Sequence, residues 1–139
     1  MNYKHYRAQA VRDLTKYKYL KNSVTVLQKQ IRMLKKVENE QINSTYAATA
    51  DALPYAMRIE QLTNTLNTNR TKLRCIEYAL SVLPKSDRDN LSSFYINRYR
   101  NSVRDLARKE YTDRSTLYRR AQRSLDKYVF AYFGILPPS

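Results

Sequence analysis

Glycine occurs once in this 139-residue sequence, at Gly134, and proline four times, at Pro54, Pro84, Pro137 and Pro138. A chain so short of turn formers is poorly equipped for strand hairpins, and the shortage points to long helices. One cysteine, Cys75, excludes an internal disulfide and suits a reducing cytoplasm. Cys75 reads as a small packed hydrophobe rather than a reactive thiol. One histidine, His5, stands far from Cys75 in sequence, so the two assemble no ligand cluster for zinc. His5 lies near a terminus and is expected to be exposed. Long apolar runs are missing too. The longest, "YVFAYFGIL" at 128–136, falls short of the roughly 20 residues that span a bilayer. The opening "MNYKHYRAQA" lacks the apolar core of a signal peptide. A soluble, cytoplasmic chain without a membrane partner is the expectation.

Acids are also scarce. Asp and Glu number 12 against 26 for Lys and Arg, a net charge of +14 with a pI near 10. So much positive charge attracts polyanions at long range, and nucleic acid is the commonest of them. A catalytic site needs a positioned base or nucleophile in a pocket. Neither a glycine-rich phosphate loop nor a carboxylate-rich metal site can be found. The expectation is a non-enzyme with no cofactor and no metal.

What is present is helical periodicity. Within residues 6–40, Tyr17, Leu20, Val24, Leu27, Ile31 and Leu34 alternate spacings of three and four, a heptad seam that no glycine or proline interrupts. Followed backwards it passes Ala10 and Tyr6 but meets Asp13. A polar stretch, "NSTYAATADALPYA", then reads as a loop over about residues 41–57. Ile59, Leu62, Leu66, Asn69, Leu73, Ile76, Leu80 and Leu83 repeat the seam until Pro84 stops it. Asn69 is its polar member: buried, it would fix register; facing water, it would do nothing. Two such helices, about 50 and 40 Å long at 1.5 Å per residue, make an antiparallel hairpin over residues 1–84. A two-helix hairpin buries little, so self-association is expected to cover the rest.

Residues 85–139 change rhythm. Ser86 and Ser102 read as N-caps of two short helices, with Leu91, Phe94 and Tyr95 facing inward on the first. Val103, Leu106 and Ala107 form the core side of the second. Asp113 caps a final helix whose buried side is Leu117, Ala121, Leu125 and Tyr128, and Gly134 suits its end. Short helix, tight turn and a helix with a polar early face make the helix-turn-helix plan. The position where chain reversal favours glycine holds Tyr111, so either the turn has another geometry or Tyr111 is strained. At about 100° per residue from Leu117, the side chains of Ser115, Arg119, Gln122 and Asp126 point most nearly away from the core. Arg grips guanine and Gln grips adenine with paired hydrogen bonds in a major groove. Arg114, Tyr118 and Arg123 flank that face and suit phosphates. Arg120 lies nearer the core and is expected to snorkel or pair with an acid. The candidate double-stranded DNA contacts are therefore Arg114, Ser115, Tyr118, Arg119, Gln122 and Arg123.

Charge is uneven along the chain. Residues 1–40 carry ten basic and three acidic groups, residues 41–84 four and three, and residues 85–139 twelve and six. Lys18, Lys21, Lys29, Arg32, Lys35 and Lys36 lie off the first seam. They either extend the footprint on a nucleic-acid backbone or solvate a coiled coil.

With "VLPKSDRDNLSSFYI", "SVRDLARKEY" and "DRSTLYRRAQRSL" the sequence resembles phage-encoded late transcription regulators of the RinA and ArpU type, relatives of region 4 of sigma-70 factors. The resemblance covers about residues 14–134, and its motifs lie in the last fifty or so. It matches Ser102 to the cap of the support helix, Leu106 and Ala107 to its apolar–alanine pair, and Leu117 to the plug of the recognition helix. Arg119 falls on a polar contact position, and Arg123 and Leu125 close an R-x-L. The chain departs from the family in having "NRYRNS" where a glycine is frequent and Arg120 where an apolar residue is frequent. The resemblance implies an all-α fold and sequence-specific binding at a phage promoter as an activator, with host RNA polymerase as a further partner. Two other readings stand beside it: a small terminase subunit that marks viral DNA for packaging, and an inhibitor that grips a protein with its basic hairpin. Small terminases more often place the DNA reader first, and here it comes last.

Overall fold

A computed structural model describes residues 2–42 and 49–139, and the regular structure of the described residues is helix alone, with no strand. The fold is all-α. Its elements are α1 (Tyr3–Thr15), α2 (Tyr17–Ile42), α3 (Thr49–Ser81), α4 (Lys85–Leu91), a π-helical turn (Ser92–Ile96), α5 (Ser102–Lys109) and α6 (Arg114–Phe133). They form two compact units: Met1–Lys18 with Arg74–Ser139, and Tyr19–Leu73.

In the unit Tyr19–Leu73 the seams do what their spacing predicts. Leu27, Ile31, Leu62 and Leu66 are buried together, with Val24, Leu34 and Ile59 packed against them. Asn69 is half-buried, and its Nδ2 donates to Ser23 Oγ at 3.1 Å. The early end of this part of α2 therefore meets the late end of this part of α3, and the two run antiparallel. Asn69 is neither an apolar seam member nor a solvated one. A half-buried amide that meets a hydroxyl favours one register, since a shift by a turn would leave it without that partner.

Three features of the first half differ from expectation. The segment 6–40 is not one helix. It breaks at Lys16, whose N–H bonds back to Arg12 O, and α1 packs against α6 and the π-helical turn. Ala10, Asp13 and Leu14 are buried on α1, so the seam that stumbled at Asp13 was two faces of two helices. A boundary at residue 84 consequently does not describe the contacts, because residues 1–18 belong with the C-terminal helices. The loop expected over 41–57 is partly helix. Residues 43–48 lie outside the described residues, while α3 begins at Thr49 and carries Pro54 within it. Proline there forgoes one backbone bond, but alanines and Leu53 on either side are strong helix formers. Cys75, expected to pack, is exposed. His5 is exposed, as its position suggested.

In the other unit the short helices have their own logic. The α4 cap is Pro84 rather than Ser86, with no side-chain bond, and proline's fixed φ suits a helix start. Asp87, on the first turn of α4, is buried; Ser124 Oγ donates to its Oδ1 at 2.8 Å and Lys127 Nζ reaches Oδ2 at 3.0 Å. This network ties α4 to α6 and satisfies a carboxylate that would otherwise be costly to bury. α5 is capped by Asn101, with Ser102 its first helical residue; Ser102 is buried and its Oγ accepts from Tyr99 N–H at 3.3 Å. Phe94, Val103, Leu117 and Ala121 form a buried cluster, with Tyr95, Leu106 and Ala107 against it. Burial of one leucine or phenylalanine contributes about 1.5–3 kcal/mol, and this cluster fixes α5 on α6.

Candidate nucleic-acid interface

The connection between α5 and α6 is residues 110–113. Thr112 N–H bonds to Ala107 O at 3.0 Å and Tyr111 N–H to Arg108 O at 3.4 Å. That pairing is a Schellman ending, whose first residue past the cap must adopt a left-handed conformation and is usually glycine. Here it is Tyr111, with φ 52°, the non-glycine residue at positive φ among those described. Of the two possibilities at this turn, the strained one is realised. Its side chain is 97% exposed, so no packing of its own recommends tyrosine at this position.

Asp113 then caps α6, its Oδ1 accepting from Thr116 N–H at 2.7 Å. That backbone bond, more than any other influence, holds the carboxyl below the usual aspartate range. At the far end Gly134, at φ 72°, closes the helix. Between these ends Leu117, Ala121, Ser124, Leu125, Tyr128 and Val129 are buried. The predicted contacts, Ser115, Arg119 and Gln122 on the face opposite and Arg114, Tyr118 and Arg123 on its flanks, are all exposed. Ser115, Arg119 and Gln122 share that face near the start of α6, with Arg119 leaning on Thr116 Oγ1 at 3.3 Å. Asp126 does not belong with them. It is half-buried and accepts a hydrogen bond from the Tyr3 hydroxyl of α1. Burial, followed by this bond, pushes the Tyr3 hydroxyl up to about 12.

The flanking residues separate into two settings. Tyr118 stands edge-on to Phe94, with ring centroids 5.1 Å apart, and with Arg114 it walls a hollow of about 340 Å³. The other side of that hollow is supplied by Arg98, Arg100 and Arg104, from the link before α5 and its first turn. Arg123 faces elsewhere, lining a hollow of about 480 Å³ that also contains Asp87, Asp89 and Glu110. Arg120 and Lys127 line it as well, so three cations face three carboxylates there, whereas no carboxylate lines the hollow of the four arginines. Arg120 pairs with Glu110 at 3.3 Å, as its position predicted.

Arg98, Arg100 and Arg104 are not among the contacts that the periodicity of the final helix predicts. The signal was in "RYRNSVR", but only the packing of α5 against α6 brings these arginines beside Arg114. Comparison of the chain with protein-family models, with curated proteins and with solved structures finds no match. Among the described residues no helix is long and apolar enough to cross a membrane.

Proposed function

We propose that the chain is a sequence-specific double-stranded DNA-binding regulator of transcription, with α5 and α6 as its helix-turn-helix and α6 as the helix that enters the major groove. The observation that carries this reading is the division of α6 into two faces. Leu117, Ala121 and Leu125 are buried, while Ser115, Arg119 and Gln122 stand exposed near its start. An early polar face on a helix held by a short partner is what groove reading requires. The net charge of +14 supplies the long-range attraction.

The family resemblance makes an activator of phage late genes, acting in the bacterial cytoplasm and contacting host RNA polymerase, the specific form of the proposal. Self-association through α2 and α3 completes it, because a two-helix layer leaves apolar surface uncovered. Tyr19, Val26 and Met33, 78%, 52% and 65% exposed, recur every seven residues on α2 and are available for such a contact.

Selection of bound fragments from a pool of phage genomic duplexes tests the function. Enrichment of a promoter region supports the regulator, and enrichment of a packaging site makes the chain a terminase subunit. No enrichment over random duplex removes sequence-specific binding.

A further inference from the structure

We propose that the hollow between α5 and α6 is a clamp for a single backbone phosphate of duplex DNA, with Arg98, Arg100 and Arg104 as its gripping residues. The inference rests on the DNA-binding reading above and adds to it a site on α5 and the link preceding it. Four arginines, these three and Arg114, border a space of about 340 Å³, and no carboxylate borders it with them. Like charges so gathered repel one another, and an anion between them reverses the sign of that interaction. Guanidinium groups suit phosphate especially, because their N–H pairs match two of its oxygens.

The acids nearby are otherwise engaged. Asp105 accepts from the Tyr99 hydroxyl at 2.9 Å and approaches Arg104 only at 3.8 Å, both at the surface where such a pair is weak. Glu110 is turned to Arg120. The hollow is also shaped, since Tyr118 is braced by Phe94, and Ser102, buried beneath, holds the link by accepting from Tyr99 N–H. Continuity decides the kind of anion. Arg114 and Tyr118 belong both to the hollow and to the exposed face of α6, so a duplex lying on that face presents its backbone here. A phosphate contact of this sort positions the protein without reading sequence.

The test is a salt titration of the full chain against a fluorescently labelled mixed-sequence duplex, read by anisotropy. Wild type is compared with Arg100→Gln/Arg104→Gln, Arg100→Lys/Arg104→Lys and Gln61→Ala. One lost phosphate contact lowers the slope of log affinity against log salt by about 0.9. The glutamine pair is expected to show that fall and weaker binding at low salt. The lysine pair retains the slope, and Gln61→Ala, an exposed uncharged residue of α3 outside the proposed interface, leaves it unchanged. Should the glutamine pair fail to fold, judged by circular dichroism, Arg98→Gln alone is expected to lower the slope. An unaltered slope in a folded glutamine variant overturns the clamp while leaving DNA binding intact. Absence of any duplex affinity in wild type overturns both readings together. Tight saturation by inorganic phosphate with an unaltered duplex slope makes this a pocket for a free anion and also overturns the clamp.

Discussion

Tyr111 concentrates the tension between local preference and global arrangement. A left-handed backbone costs a side-chain-bearing residue about 1–2 kcal/mol, and nothing packs on this ring to offset it. Tyr111→Gly is therefore expected to stabilise the chain by about 1 kcal/mol, part of the relief being lost to glycine's greater freedom when unfolded. Urea denaturation measures it, and a destabilised variant would show that the tyrosine ring makes a contribution not visible in its exposure. Strain retained at an exposed turn, here beside the proposed binding face, is a recurring mark of functional positions. Loss of duplex affinity in the stabilised variant would connect the two. Arg119 is judged differently, by discrimination rather than stability. Arg119→Ala is expected to reduce the preference for a cognate duplex over a random one by about 1–3 kcal/mol. An unchanged ratio in competition binding removes Arg119 from the reading face.

At the scale of elements, α6 was the most legible part of the sequence. Asp113 as cap, Leu117, Ala121, Leu125 and Tyr128 as buried side and Gly134 as terminus all follow from spacing and local chemistry, and the structure has each of them. Ser115, Arg119 and Gln122 are exposed for the same reason, since the face opposite a buried stripe must be open, and Arg114, Tyr118 and Arg123 are exposed beside it. What spacing could not convey was association across distance in sequence. The docking of α1 on α6, the use of Asp126 by Tyr3 and the gathering of Arg98, Arg100 and Arg104 beside Arg114 depend on which helices meet. Caps were less readable than seams. Ser86 and Ser102 each satisfy the pattern, yet Pro84 and Asn101 precede the helices, because a serine one or two places further on serves equally well as a first-turn residue.

The α1–α6 contact carries a pH dependence whose sign follows from Tyr3. Its hydroxyl is raised to about 12 in the folded chain, against about 10 when unfolded, by burial and then by its bond to Asp126. The protonated form is the one the fold favours. Its contribution is complete below about pH 10 and is lost as pH rises through about 12. Tyr3→Phe is expected to lower the melting temperature at neutral pH and to flatten its decline in alkali. Identical alkaline profiles for the two proteins would show that Tyr3 does not link α1 to α6 in this way.

For the molecule as a whole, the two compact units divide the tasks proposed for it. The unit Tyr19–Leu73 has a small buried cluster and exposed apolar residues on α2, a composition suited to association. Light scattering is expected to give a mass above that of the 16.5 kDa chain. Val26→Lys with Met33→Lys is expected to return it to the monomer, while a monomeric wild type would withdraw α2 as an oligomer contact. In the proposed reading self-association would also raise DNA affinity, because linked binding modules act at high effective concentration.

The central claim is that the early exposed face of α6 meets the duplex. Titration of isotope-labelled chain with duplex DNA, followed through its backbone amide resonances, examines that claim residue by residue. The account predicts the largest shifts at residues 114–123, accompanied by residues 98–104. Shifts confined to residues 19–73, or no shifts at concentrations where binding is complete, would contradict it.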